Sequence, residues 1–329
     1  MRAENFRSQM EAKQNAYKRD VLKLEACGKW RGKCYHHILP EEKWQYNLFE
    51  GSREQVINYF AENHIAWHQQ KHNLLSSQVL CINLFFPLRR YLDVLKPLLS
   101  AHFDDVKRIL DIDFEYTGPC QKDYFHEGGV RGQNRTSSDV AIIWENKDYN
   151  KNVLLLEFKF AEPGFGECSR QGNPNQRRCQ SVKSVIKAPD KECWRAIRGR
   201  KYWQTILSDT SPFRRDMLTT ERYCPFRYDF YQLMRNQLLA HCIETDSQLG
   251  FRRADFGVIY HADNEDLLRM ARPFGGERNP LKAWPKLLKD DSRFRFHTFT
   301  IQELVSVVNG ALPEGLNVWR AYLKQRYGL

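Results

Sequence analysis

Two short apolar runs, each bordered by a carboxylate, constrain the fold of this chain more than any other feature. The first run follows Asp139 and ends at Trp144, and the second spans residues 153–156 and leads into Glu157 and Lys159. The segment between the runs is rich in Asn and Asp, which are typical of turns. We therefore predict a β-hairpin that brings Asp139 beside Glu157.

The charged residues at the end of the second run cost free energy unless something compensates for their burial. Alternate side chains of a strand share a face, so Glu157 and Lys159 point the same way. The other face carries Leu156, Phe158 and Phe160. The continuous apolar run indicates burial on both faces, where an unpaired charge costs several kcal/mol. Either a structural ion pair or a functional site must compensate.

A divalent cation is one way to satisfy this arrangement. Two converging carboxylates repel each other unless a cation lies between them, and oxygen ligands of this kind suit Mg²⁺. We expect Lys159 to orient or help deprotonate an attacking water and to balance charge that develops on a phosphate. The pattern therefore predicts a phosphodiesterase site.

The same residues resemble the signature of the PD-(D/E)XK (restriction-endonuclease-like) nuclease superfamily, an Asp followed after a hairpin by Glu-x-Lys. Asp139, Glu157 and Lys159 match the three signature positions. The resemblance covers residues 60–260 and implies an α/β fold with an α-β-β-β-α-β core around a mixed central sheet. The expected core elements are a helix near Leu74, strands near Ile112, Asp139 and Val153, a helix at Asp229–Glu244 and a strand at Phe256–His261.

The chain departs from the signature at two positions. Ser138 stands where many members have Pro, and Gln78 stands where many have a metal-binding Glu. Glu115, on the preceding strand, is the substitute metal ligand that we expect beside Asp139 and Glu157. The tripeptide Glu-x-Lys occurs four times in the chain, so only its position after a buried strand gives it meaning.

Polar residues on two predicted helices complete the expected site. The chain resembles a bacterial restriction-endonuclease-like subfamily that has Ser-Ser-Gln in the first core helix and Tyr-Gln-Leu-x-Arg-Asn-Gln in the second. By this resemblance Gln232 would hold a metal-bound water, and Arg235, Asn236, Gln78 and Ser77 would contact DNA. For each of them, a solvated helix face or a helix cap is the alternative reading.

Residue composition, rich in Lys, Glu, Gln, Arg and Ala before residue 70, also divides the chain. Residues 1–70 are predicted to form an N-terminal helical arm, and residues 71–329 a nuclease-like domain with an irregular insertion at about 163–225. A further strand is expected near Phe294–Phe299, with a helix from Ile301.

Four cysteines lie in or beside the insertion. Cys168, Cys179, Cys193 and Cys224 could bind a structural Zn²⁺ ion that organises it. Their wide spacings, without a Cys-x₂₋₄-Cys pair, favour ordinary buried thiols, and an iron–sulfur cluster stays open as a third reading. With nine cysteines scattered over the chain, thiols or metal ligands are expected rather than a disulfide framework.

Composition and charge narrow the class of protein. The 329 residues are 42% hydrophobic and 28% charged, which is typical of a globular protein, and the net charge of +11 favours a polyanionic partner such as nucleic acid. The sequence shows neither a secretory signal nor a membrane span, so a cytoplasmic location is expected.

Arg-rich stretches and a row of histidines also bear on nucleic-acid binding. Arg-rich stretches, the first of them at residues 176–178, are interleaved with Trp194, Tyr202 and Trp203 and suit contacts to a phosphate backbone. His64, His68 and His72 recur every fourth residue and would share one face of a helix. We expect these histidines to lie beside the DNA path or in water rather than to bind metal.

These observations together predict an endonuclease that uses Mg²⁺ or Mn²⁺ to cut double-stranded DNA, in restriction or phage defence. It could act as a homodimer. An RNA-processing nuclease, and a catalytically inactive nucleic-acid-binding or scaffold protein with the same fold, are the alternatives.

Overall fold

A computed structural model of the chain describes residues 5–168, 179, 181–291 and 295–329. Its centre is a five-stranded mixed sheet with strand order β3-β4-β5-β6-β7. The strands of the chain are β1 (Gly28–Trp30), β2 (Lys33–Tyr35), β3 (Val106–Tyr116), β4 (Ser138–Asn146), β5 (Lys151–Lys159), β6 (Phe251–Tyr260) and β7 (Phe296–Thr300). Strands β3, β4 and β5 are antiparallel neighbours, whereas β5–β6 and β6–β7 pair in parallel.

The helices surround this sheet. They are α1 (Phe6–Asp20), α2 (Arg53–Glu62), α3 (Ser77–Phe85), α4 (Lys96–Ser100), α5 (Val182–Lys187), α6 (Pro189–Glu192), α7 (Trp194–Ile197), α8 (Tyr202–Ile206), α9 (Arg215–Leu218), α10 (Tyr231–Thr245), α11 (Pro280–Ala283), α12 (Ile301–Gly310) and α13 (Asn317–Tyr327). Short 3₁₀ helices cover Glu41–Asn47, Glu50–Ser52, Pro87–Arg90, Leu92–Leu95, Pro225–Arg227, Trp284–Leu287 and Glu314–Leu316.

Each face of the sheet supports its own hydrophobic cluster, because successive strand residues point to opposite faces. One cluster joins Val140 and Leu156 to the side chains of α3, which is apolar nearly all round. The other joins Ala141 and Leu155 to the apolar side of α10. Helices α3 and α10 therefore lie on opposite faces of the sheet.

The core elements confirm the predicted order and the mixed sheet. Helix α3, the run β3 to β5, helix α10 and strand β6 follow one another as expected, and α3 ends just before Pro87. The predicted hairpin is present, with Val140 opposite Leu156. Strand β7 and helix α12 are also found, although Phe294, where the strand was expected to begin, lies outside the described residues. Whether this core is the restriction-endonuclease-like fold itself stays a prediction.

The N-terminal segment differs from the purely helical prediction. It contains α1 and α2, but between them lies the hairpin β1–β2, whose ends are joined by a Cys27–Cys34 disulfide. The expectation that the cysteines act only as thiols or metal ligands is therefore wrong for this pair. The prediction failed because the basic, glycine-containing turn of the hairpin has little hydrophobic pattern to reveal it. The division into an arm and a domain stays a prediction.

The insertion is more regular than its sequence indicates. Between residues 181 and 224 it forms five short helices, α5 to α9, and contributes Val185, Ile206 and Phe213 to the second hydrophobic cluster. Helices of four to six residues are too short to show a hydrophobic period, which explains why the sequence pattern looked irregular. In the described part of the chain, no helix is both long enough and apolar enough to cross a membrane.

A buried arginine joins the two ends of the chain. Arg326 of α13 has no exposed surface, and its guanidinium donates hydrogen bonds to Gln14 Oε1 (3.1 Å), to the Asn47 backbone oxygen (2.7 Å) and to the Asn47 side chain. These bonds tie α13 to α1 and to the segment before α2. These bonds replace the hydrogen bonds to water that Arg326 and its acceptors lose on burial.

We expect Arg326→Met to lower the free energy of unfolding by about 3 kcal/mol or more, because it leaves several buried acceptors unpaired. Urea denaturation measures this change. The exposed Arg320 on the same helix gives the matched control, since Arg320→Met should change stability by less than about 0.5 kcal/mol. Equal stabilities of the two variants would show that the buried network contributes nothing.

Candidate active site

The hairpin β4–β5 places three of the predicted residues together. Asp139 lies next to the Val140–Leu156 pair, and its Oδ2 accepts a hydrogen bond from the Phe158 backbone amide at 2.7 Å. Glu157 and Lys159 share a face as predicted, with 2.8 Å between Lys159 Nζ and Glu157 Oε1. Both side chains are buried. The geometry confirms that the hairpin brings the acids and the amine to one place.

Helix α10 contacts this pair through residues one helical turn apart. Gln232 Oε1 accepts a hydrogen bond from Lys159 Nζ at 2.9 Å, and Asn236 Nδ2 donates to Glu157 Oε2 at 2.6 Å. Residues spaced by four on a helix therefore face residues spaced by two on the strand. The predicted polar face of this helix is thus the wall of the site. In this structure Gln232 positions the lysine directly.

Arg235 also faces the cavity but is held by neighbours. Its guanidinium contacts Glu127 (3.2 Å) and Thr136 Oγ1 (2.9 Å). Part of its side chain stays accessible, 23% by exposed area. An arginine fixed in this way presents its remaining donors in one orientation, which suits a phosphate oxygen.

Glu115 reaches the same cavity from the end of β3. Its backbone φ is +46°, in the left-handed region that non-glycine residues rarely adopt and that costs about 1–3 kcal/mol. Residues two apart in a regular strand share a face, but this conformation breaks the alternation. Phe114 therefore packs in one hydrophobic cluster and Tyr116 in the other. Glu115 Oε1 accepts from Gln78 Nε2 at 2.6 Å, and its Oε2 accepts from Ser137 Oγ at 2.7 Å.

Arg131, which no sequence motif marks, holds this strained backbone. Its Nε donates to the carbonyl oxygens of Phe114 (3.0 Å) and Glu115 (2.9 Å), and its guanidinium pairs with Asp113. Arg131 is buried, so these bonds replace water that the carbonyls have lost. Only a tertiary contact shows this role, because Arg131 lies in an irregular loop.

His68 is a second residue whose role the sequence did not show. Its Nε2 lies 3.3 Å from Glu115 Oε1, and its backbone amide donates to Gln78 Oε1. The prediction of a shared helical face for His64, His68 and His72 is wrong, because α2 ends at Glu62 before the first of them. The site thus contains a histidine, but one that a loop supplies.

Burial and the close approach of the carboxylates in this cluster shift the pKa of Asp139. Burial, together with the neighbouring Glu157 and Glu115, raises the pKa of Asp139 well above its usual value. Burial opposes the charged form of Glu115, but hydrogen bonds from His68, Ser137 and Gln78 keep its pKa below the usual range.

The carboxylates of the site raise the pKa values of Lys159 and His68. Burial opposes the charge of Lys159 as well, but Glu157, Glu162 and Asp139 hold its pKa above that of a free lysine. The contact with Glu115 overcomes the burial of His68 and raises its pKa to about 9.

The site opens into a cavity of about 270 Å³. Its lining includes His68, Glu115, Ser137, Asp139, Glu157, Gln232, Arg235 and Asn236. Ser77 does not reach this cavity. It lines an adjoining, larger one of about 660 Å³, which shares His68, Gly132 and Asn134 with the first. Ser76, just before α3, supplies the helix cap.

The oxygen donors of the cavity fit a hard divalent cation in kind and charge. Three carboxylates face it, and the buried Asn236 Oδ1 has no hydrogen-bond partner in the structure. Within the described residues, however, no group of three or more His, Cys, Asp or Glu side chains is arranged to hold a metal ion. Glu157 contacts Lys159 and Glu115 contacts His68 through oxygens that a cation would need.

The predicted zinc ligands lie elsewhere. Cys168, Cys179, Cys193 and Cys224 line a separate small cavity between the insertion and α10. Tyr202 and Trp203, two of the aromatic residues expected to contact nucleic acid, are instead buried in the second hydrophobic cluster, so the expectation is wrong for them. The predicted Arg-rich stretch at residues 176–178 lies outside the described part of the chain.

An α/β protein with buried carboxylates, a lysine and two amides around one cavity has the residue set of a metal-dependent hydrolase. A family model described as "Restriction Endonuclease associating with ARP" matches residues 10–328. The chain belongs to this restriction endonuclease family, which confirms the resemblance seen in the sequence and points to a nuclease or defence role. No curated protein and no solved structure matches the chain.

We expect Asp139→Asn to stabilise the chelator-treated protein near neutral pH. The raised pKa means that the folded chain holds a proton on Asp139 more readily than the unfolded chain, so the ionised carboxylate becomes destabilising as the pH rises through the folded-state pKa. The amide removes this charge and keeps an acceptor for Phe158. The melting temperature should rise by about 2–5 °C at about pH 8, and the gain should vanish as the pH falls toward 3.8.

Glu145→Gln, on the same strand, is the control for this measurement. Glu145 pairs with Lys107 and Arg108, so its neutralisation should not raise the melting temperature. A variant of Asp139 that melts at or below the wild-type temperature without metal would contradict the idea of carboxylate repulsion in the site.

Proposed function

We propose that this protein is a Mg²⁺-dependent endonuclease that hydrolyses phosphodiester bonds in double-stranded DNA, as a restriction or phage-defence enzyme. The observation that carries the proposal is that Asp139 and Glu157 line one cavity and Lys159 pairs with Glu157 beside it, in a chain of the restriction endonuclease family. The net positive charge of the chain supports a polyanionic substrate.

The carboxylates and the lysine would have separate roles in phosphodiester hydrolysis. Asp139 and Glu157 would hold the cation, with Glu115 as a third carboxylate. A cation bound there supplies positive charge for the phosphate and makes water a better nucleophile. The raised pKa of Lys159 keeps its amine protonated, so it acts as a donor that orients the attacking water and offsets charge developing on the phosphate.

The surrounding residues position the carboxylates and the lysine. Gln232 and Asn236 fix the lysine and Glu157 from α10. Arg235 presents its free edge to the cavity and would contact a phosphate oxygen. Gln78 donates a hydrogen bond to Glu115 from α3 and would orient this carboxylate; its contact with DNA stays a prediction. Ser77, in the adjoining cavity, would contact DNA beyond the scissile phosphate.

Two alternatives are distinguished by the same assay. A catalytically inactive nucleic-acid-binding protein would bind DNA without cutting it, and an RNA-processing nuclease would prefer RNA. A homodimer would place two such cavities on the two strands of a duplex; this assembly and a cytoplasmic location stay predictions.

We expect the purified protein to cut plasmid DNA with Mg²⁺ or Mn²⁺, a chelator to stop the reaction, and Lys159→Ala to lower the cleavage rate by about 100-fold or more. DNA binding, measured by fluorescence anisotropy, should persist in this variant because the buried amine contributes little contact surface.

Lys147→Ala is the matched control. Lys147 belongs to another Glu-x-Lys tripeptide, but it is exposed beyond the end of β4, so the substitution should leave the rate unchanged. Cleavage by the Lys159 variant at the wild-type rate would end the assignment. DNA binding without any cleavage by the wild type would favour the inactive protein, and preferential cleavage of RNA would favour the third reading.

A further inference from the structure

Four cysteines from separate parts of the chain line one small cavity. Cys168 follows β5, Cys193 precedes α7 and Cys224 precedes the 3₁₀ helix Pro225–Arg227; Cys179 completes the group. All four are free thiols. The cavity measures about 40 Å³, which is enough room for one ion but too little for a substrate or an iron–sulfur cluster.

Each of the four sulfurs is approached by an N–H donor. The backbone amide of Trp194 approaches the Cys179 sulfur, that of Ala196 approaches Cys193, and that of Phe226 approaches Cys224. The fourth donor is the guanidinium of Arg195, which approaches Cys168. Donors aimed at sulfur stabilise a thiolate more than a neutral thiol, because hydrogen bonds to a charged acceptor are stronger.

The charges around the cavity also complement bound thiolates. A divalent cation with four thiolates carries a net charge of −2, and the side chains of Arg195 and Arg227 both line the cavity. Beside a tetrathiolate centre they offset its negative charge.

We propose that Cys168, Cys179, Cys193 and Cys224 bind one structural Zn²⁺ ion as four thiolates. Zn²⁺ prefers tetrahedral sulfur coordination, and four protein ligands leave no open position for catalysis. Binding releases the four thiol protons and involves no oxidation or reduction.

In the structure the sulfurs surround the cavity without converging on one point. Because no group of three or more His, Cys, Asp or Glu side chains among the described residues is arranged to hold a metal ion, Zn²⁺ would have to draw these sulfurs closer together. The Cys179 and Cys193 sulfurs already approach each other, so two of the four ligands are adjacent before any cation binds.

A metal ion bound by these cysteines would connect the insertion to helix α10. Tyr231 and Met234 of α10 line the cysteine cavity, whereas Gln232 and Asn236 of the same helix contact Lys159 and Glu157. A metal centre here therefore supports the helix from the side opposite the carboxylates. The proposal concerns binding and stability, and it stands independently of whether the protein cleaves DNA.

Elemental analysis of the full chain, purified under reducing conditions without added metal, should find about one zinc per chain. Exchange with Co²⁺ should give the sulfur-to-cobalt charge-transfer bands of a tetrahedral thiolate site. Alkylation followed by mass spectrometry should find the four cysteines protected until a strong chelator is added. These readouts use the wild-type protein and do not depend on the folding of a variant.

Cys168→Ser and Cys224→Ser should each lose most of the zinc and lower the melting temperature. Cys120→Ser, at an exposed thiol outside the cavity, should change neither. Folded, reduced wild-type protein that takes up neither Zn²⁺ nor Co²⁺ would overturn the proposal. So would iron with sulfide in place of zinc, or a Cys179–Cys193 disulfide in the protein as purified.

Discussion

The electrostatic balance at the buried end of β5 is the constraint on which the rest of the site depends. Glu157 and Lys159 follow an apolar run that excludes water from both faces of the strand, so protein groups must satisfy them. The lysine balances only one acid. Glu115 pairs in turn with His68, and burial, together with the charges of Glu157 and Glu115, raises the pKa of Asp139 well above its usual value, which places an ionised Asp139 under electrostatic repulsion. A cation is the simplest partner that relieves it.

The hairpin and its acidic end could be predicted because they depend on local rules. The apolar runs, the turn between them and the alternation of strand side chains fixed the neighbours of Glu157 without any tertiary information. The position of Gln232 and Asn236 followed in part from helical spacing. Their bonds to Lys159 and Glu157 could not be predicted, because these depend on how α10 packs against the sheet.

Other parts of the site depend on contacts that no periodicity reveals. Glu115 was chosen only as a substitute ligand, and its left-handed backbone is visible only in the structure. Arg131 and His68 come from irregular segments and act through residues far from them in the sequence. The helices of the insertion could not be predicted for a different reason. Each is too short to show a hydrophobic repeat, and each is stabilised by the hydrophobic cluster that it joins.

Helix α10 connects these observations, because almost its whole circumference is buried. Its apolar residues pack on the sheet, its amides contact Glu157 and Lys159, and Tyr231 and Met234 face the cysteine cavity. A helix with three different buried surroundings shows no simple amphipathic stripe. The insertion that covers α10 thus removes solvent from the helix that orients the lysine. A rigid insertion and an ordered catalytic cluster are therefore two consequences of the same packing.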